Sequence, residues 1–266
     1  MKRKTYKYHS VLESEGRMYA DIKSLMTEIG LEKKRLFNIM LAISEAFTNA
    51  LIHGNYFNPD KMVEVTITVN DEAMIADIID EGKGFNRESS GHDYPDLLSE
   101  GGRGIGLMRS IADEIVIERS GRTGGTQITM RFNLRKDKVN KKSMNDMEDK
   151  MEMNKKDEGN VMVLTLSGRL DLSNGNRLKE EVKSILSGGR TSIHLNLREV
   201  EFVNSSGLGA LVSIMKEIRI HRGRLTLSDM ADYVREIFDI TQLSHIFEIF
   251  ATEEEALHSY HLVPSN

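Results

Sequence analysis

Three side chains in the stretch SEAFTNALIHGN stand four residues apart: Glu45, Asn49 and His53. On a helix that spacing puts a carboxylate, a carboxamide and an imidazole on one face. A solvated face mixes Lys with Glu, whereas this one offers a base, a neutral oxygen ligand and an imidazole before the helix stops at Gly54. Two glycine-rich stretches follow, DEGKGF from Asp80 to Phe85 and GGRGIGLMRS from Gly101 to Ser110. Glycines let a backbone approach a ligand closely, and a glycine loop opening a helix offers unpaired N–H groups to phosphate. The second loop is neither a Walker A loop, which needs Gly-Lys-Ser/Thr, nor a Rossmann fingerprint. Further on, Asn204, Ser205 and Ser206 stand at a helix entrance, where N-capping alone accounts for their types.

The elements that must hold these residues read as follows. A strand is expected over Thr5–Leu12, then a short helix with Met18, Ile22, Leu25 and Ile29 inward and Gly30 as its stop. A second helix runs from about Glu32 to His53 on the stripe Leu36, Met40, Ile43, Phe47 and Leu51, with Glu45 and Asn49 roughly opposite. Alternating runs, VEVTITV, MIADIID, EIVIERS and QITMRFNL, predict strands with an antiparallel look. Polar residues 86–100 between the loops suggest a lid. Residues 136–147 carry no apolar periodicity and read as a linker. Beyond them a hairpin turning at DEGN leads into regular strand–helix alternation, with a strand ending near Leu197 and a helix starting near Gly207. The expected fold class is α+β, as an N-terminal sandwich domain over 1–135 and a C-terminal mixed-sheet domain over 148–266.

Bulk composition narrows the function classes. With 266 residues the chain has room for two ordinary domains, and 39% hydrophobic and 29% charged residues suit a folded aqueous protein. A net charge of −5 gives no argument for nucleic acid, and the absence of cysteine excludes disulfides and thiolate metal sites. The basic N-terminus lacks the apolar run of a signal peptide, and no apolar stretch is expected to approach the ~20 residues of a membrane span. The expected location is the cytoplasm.

Glu45-x-x-x-Asn49, Asp80-x-Gly82-x-Gly84, GGRGIGL and the GGT of Gly124 to Thr126 together resemble the boxes of the Bergerat-fold ATPases. SEAFTNALIHGN is most similar to their anti-sigma-factor serine kinases, and the resemblance covers nearly all of residues 1–135. It implies ATP and Mg²⁺ as cofactors. Asn49 would give Mg²⁺ a carbonyl oxygen, and Glu45 would face the γ-phosphate as catalytic base. Asp80 would accept the exocyclic N–H of adenine with support from Thr126. Gly82 and Gly84 would clear space for base and sugar, while Gly102, Gly104 and Gly106 line the phosphates and Arg103 reaches them as a cation. His53 carries no assigned role. Residues 148–266 resemble a STAS domain, the fold of anti-anti-sigma factors, on LSGRLDLSNGNRLKEEV, LNLREVEFVNSSGLGAL and LSDMADYVREIFDITQL. The first serine of that family's D-S-[ST]-G motif accepts phosphate, and its counterpart is Ser205. The preceding Asp is Asn204 here, so a cap remains but a local negative charge is lost.

The resemblance implies a protein serine kinase and anti-sigma factor fused to its own class of substrate, with a sigma factor and separate STAS or kinase proteins as partners. It also implies a homodimer through the kinase domain, and neither direct nucleic-acid nor membrane binding is expected. The competing reading is a non-catalytic nucleotide switch with a STAS docking module. A two-component histidine kinase fits poorly, because some thirty residues precede the second helix and none form a dimerisation helix with an acceptor His.

Overall fold

The computed structural model describes residues 1–84, 103–134 and 151–261. The expected lid and linker lie outside them, as does Gly102. The chain divides into two compact units, Met1–Asn145 and Asp146–Asn266.

The first unit runs β1 (Lys2–His9), α1 (Ser14–Thr27), α2 (Lys33–Asn49), a π turn over Ala50–Gly54, β2 (Met62–Val69), β3 (Ala73–Ile79), α3 (Arg103–Ile111), β4 (Glu114–Arg119) and β5 (Thr126–Asn133). Its sheet has the order β1-β2-β3-β5-β4, with every pair antiparallel. The period-2 alternation explains its inner face. Registered rows such as Val65–Ile78–Ile128–Ile117 and Ile67–Ala76–Met130 carry apolar side chains across the strands. The helices cover that face. The stripe Leu36, Met40, Ile43, Phe47 and Leu51 is wholly buried, and Phe47 meets Tyr8 of β1 edge-on at 5.4 Å.

Some expectations shift. β1 begins three residues before Thr5 and ends at His9, and Met26 rather than Ile29 completes the inner face of α1. Leu41, Ala42, Ile43, Ser44, Glu45 and Ala46 are all buried, so α2 has no solvated side there. The run Lys33–Gly54 is also long and apolar enough to cross a membrane, contrary to the reading of the sequence. The domain itself buries 78% of its most apolar window, which makes it a core helix.

The second unit runs β6 (Glu152–Glu158), β7 (Val161–Leu170), α4 (Leu172–Ser187), β8 (Ser192–Val203), α5 (Ser205–Ile220), β9 (Arg224–Ser228), α6 (Asp232–Ile240), a 3₁₀ turn over Leu243–His245, β10 (Glu248–Phe250) and α7 (Glu253–His261). The sheet order is β10-β9-β8-β7-β6. The β6–β7 hairpin is antiparallel and the other pairs are parallel, as strand–helix–strand crossovers require. β8 continues six residues past Leu197, because Val200, Phe202 and Val203 are buried beyond the exposed Arg198 and Glu199. α5 accordingly starts at Ser205, earlier than the sequence suggested.

Candidate functional site

In the first unit the site is built where the end of α2 meets the end of β3. The helix does not stop at Asn49. It widens into the π turn, in which Asn55 N–H donates to Ala50 O at 2.8 Å. Asn55 is 1% exposed and joins the turn to the neighbouring strands: its Nδ2 donates to Met62 O at 3.0 Å, and its Oδ1 accepts from Glu81 N–H at 2.9 Å. That seat brings Gly54 over Asp80, the first residue past β3.

Asp80 is 4% exposed, and a collar of backbone holds it. Its Oδ1 accepts from Gly82 N–H at 2.8 Å and from Thr126 N–H at 2.9 Å. Its own N–H donates to Thr126 O at 3.0 Å, and Thr123 Oγ1 donates to its carbonyl at 2.6 Å. Both acceptor directions at Oδ1 are thus occupied, while Oδ2 takes none of the described hydrogen bonds.

A cavity of about 280 Å³ opens beside this carboxylate. Its apolar wall is Ile78, Ile117 and Ile128 from one registered row, with Ile105 from α3. Asn49, His53, Asp80 and Thr126 supply the polar groups, and Gly54, Gly84 and Gly104 bring bare backbone. Such a slot, greasy on its faces with one carboxylate oxygen at its end, suits a flat heteroaromatic ring carrying an N–H donor.

The second unit presents two helix N-termini side by side. β7 and β8 pair through Leu170 and Val203, and each strand passes directly into a cap. Asp171 Oδ1 accepts from Asn174 N–H at 3.0 Å to open α4, and Asn204 Oδ1 accepts from Gly207 N–H at 3.0 Å to open α5. The caps are 1% and 0% exposed. Asp171 also pairs with the buried guanidinium of Arg169. A Cβ on Gly207 would lie 2.0 Å from Leu170 O, so only glycine lets α5 sit this close to β7. Ser205, half-buried, is the first residue of α5.

Comparison with known proteins divides the chain in the same way. Residues 10–132 match the histidine kinase-like ATPase domain, and residues 152–256 match the STAS domain. An anti-sigma F factor from Clostridium acetobutylicum is 29% identical over 130 residues, 47% of this chain and 89% of that protein. An anti-sigma-B factor antagonist from Listeria monocytogenes is 30% identical over 107 residues, 40% of this chain and 91% of that protein. The chain carries a histidine kinase-like ATPase domain followed by a STAS domain, and through the second it belongs to the STAS family. A solved anti-sigma factor antagonist from Thermotoga maritima, 29% identical, covers 40% of this chain and 92% of its own, with a TM-score of 0.39.

Within the ATPase domain the expected site residues fall into three groups. Asn49, Asp80, Gly84, Gly104 and Thr126 meet at the cavity. Glu45, Gly82 and Gly106 do not line it: Glu45 is buried at 1% exposure, Gly82 lies against the carbonyl of Gly54, and Gly106 has open space on its Cβ side. The side chain of Arg103 lies outside the described residues, although its backbone opens α3. Sequence reasoning missed Asn55 and Thr123, and gave Gly125 of the GGT motif no role of its own; all three serve Asp80 or its loop. It left His53 unassigned, and His53 lines the cavity.

Proposed function

We propose that this protein is a cytoplasmic ATP-dependent serine kinase and anti-sigma factor that works by partner switching, with Ser205 of its STAS domain as phosphate acceptor. One observation carries the reading. Asp80 has one oxygen fixed by two backbone N–H groups, and its side chain borders a largely apolar cavity that Asn49 also lines.

The residues fit adenine and a hard cation. Asp80 Oδ2 would accept the 6-amino N–H of adenine between Ile78, Ile105, Ile117 and Ile128. No group of three His, Cys, Asp or Glu side chains among the described residues could hold a metal, so the donor at hand is the Asn49 carboxamide. One such oxygen suits Mg²⁺, which keeps waters and takes its other oxygens from phosphate, neutralising the charge there. Gly104 and the first turn of α3 would seat phosphates on backbone N–H groups. Glu45 would take the proton of the serine hydroxyl as Oγ bonds to the γ-phosphorus. The bond from that phosphorus to the β–γ bridging oxygen breaks, and ADP departs. Positioning and charge neutralisation do most of this work.

Phosphate on Ser205 would sit at the N-terminus of α5, where the helix dipole favours it, and add about −2 charge to the partner surface. The names of the relatives support switching: one half resembles an anti-sigma factor and the other an anti-sigma factor antagonist. A sigma factor and separate STAS or kinase proteins are the proposed partners, with pairing of two copies through the ATPase domain.

Incubation of the full chain with Mg·ATP, followed by mass spectrometry, tests the proposal. Phosphate at Ser205 that disappears in Glu45→Ala is the expected result. The burial of Glu45 away from the cavity lining favours a second reading, a nucleotide switch without transfer. ATP binding with no label on Ser205 or on any added STAS protein selects that reading.

A further inference from the structure

We propose that Gly54, placed by the π turn, is the positioning residue that keeps Asp80 Oδ2 open to the nucleobase, and so sets preference for a 6-amino purine. The inference rests on the reading of the cavity as a nucleotide site. A Cβ built on Gly54 would lie 2.5 Å from both Cγ and Oδ2 of Asp80 and 2.9 Å from its Cβ. Those distances are far inside van der Waals contact, and the oxygen they meet is the one that the collar leaves for a ligand. Gly54 cannot retreat. Its carbonyl packs against Gly82, where an added Cβ would lie 2.3 Å from Gly54 O. Gly125 closes the third side, since its own Cβ would lie 2.4 Å from Asp80 Oδ1.

The turn explains why Gly54 is there. A regular α-helix would advance residue 54 by 100° per residue along the helix surface, but one widened turn shifts every later position relative to the sheet. The Asn55 side chain pins the shifted end to Met62 and Glu81. Ala50 and Gly54, the two ends of the turn, both line the cavity with Asn49 and His53. The turn therefore presents the Asn49 carboxamide and the bare Gly54 Cα to the same space. A side chain at position 54 would push the Asp80 carboxylate out of line while leaving the apolar walls standing.

The test measures affinity of the full chain for ADP and for inosine diphosphate, whose 6-oxo group replaces the amino donor. Wild type should prefer ADP at least about tenfold, because a buried acceptor left facing a carbonyl oxygen is costly. In Gly54→Ala that preference should fall toward unity. Gly121→Ala, where an added Cβ meets nothing within 4 Å, should leave it unchanged. Wild type that binds neither nucleotide sinks the nucleotide reading itself. Wild type that prefers ADP alongside a Gly54→Ala variant with an undiminished ratio sinks only the inference, even if both affinities drop. Should Gly54→Ala fail to fold, thermal melts of Asp80→Gly with and without Gly54→Ala decide. A pair as stable as Asp80→Gly alone supports contact through Asp80, and a pair that falls further overturns it.

Discussion

Asp80 has one carboxylate oxygen held by backbone N–H groups, and the proposed function gives the other to a ligand, a division that is testable. In Asp80→Asn the carbonyl oxygen can still accept from Gly82 and Thr126, so the collar survives. The group at the Oδ2 position becomes an amide that donates instead of accepting, opposite an amino group that also donates. A hydrogen bond to a charged group contributes about 1.5–3 kcal/mol, so ADP affinity should fall roughly 10- to 100-fold with the melting temperature little changed. Titration beside a thermal melt checks both halves. Asn49 offers a different signature. Asn49→Ala should weaken ADP binding in Mg²⁺ and leave it unaltered in EDTA, because only the metal-linked contact goes. Equal affinity of wild type and variant in Mg²⁺ would remove Asn49 from that role. Asp80 was legible in the sequence because a strand, an acid and two glycines follow one another within a few positions. The fit of Gly54 and Gly125 around its carboxylate was not, since residues distant in sequence meet only once β3, β5 and the π turn close together.

At the scale of elements, period-2 and 3.6-residue patterns placed nearly every strand and helix, while pairing order had to come from the fold. Nothing in the alternation of MIADIID and QITMRFNL says that β5 inserts between β3 and β4. The end of β8 was hidden for a related reason. Arg198 and Glu199 look like a strand terminus, yet β7 remains alongside as far as Leu170 and keeps the strand extended to Val203. The same strand carries a buried histidine that no motif flagged. His194 is 0% exposed between Thr226 and Ser228 of β9, with Nδ1 2.7 Å from Thr226 Oγ1 and Nε2 2.9 Å from Ser228 Oγ. Ser228 gives its own proton to Asp229 at 2.6 Å and so accepts from Nε2–H. Burial lowers the His194 pKa from 6.5 to about 4, against the opposing pull of Glu253 and Asp229. A group whose folded pKa lies below its unfolded one makes the unfolded chain bind more protons in between. Stability is therefore complete above about pH 6.5 and declines as pH falls toward 4, by at most about 3 kcal/mol for this group. Denaturant unfolding at pH 7 and pH 4.5, for wild type and His194→Gln, isolates it. The variant should lose less stability between the two pH values, and parallel losses would refute the assignment.

At the scale of the whole molecule, an ATPase domain and a STAS domain share one chain, and under the proposed function that connection would set the kinetics of phosphoryl transfer. Both domains lie on one chain, and covalent linkage of one domain to another gives an effective concentration of order mM, well above the µM concentrations of a typical assay. Transfer within one chain should therefore outrun transfer between chains. The rate of Ser205 labelling, per molecule, should then be independent of protein concentration across the low µM range. Mixing Glu45→Ala chains with Ser205→Ala chains should restore little label, because each intact acceptor is tethered to a disabled base. The opposite pair of results, a rate proportional to concentration and full label in the mixture, would assign the fused STAS domain to another copy's active site. In that case the fusion would raise local supply of substrate within an assembly and would not direct each domain to its own partner.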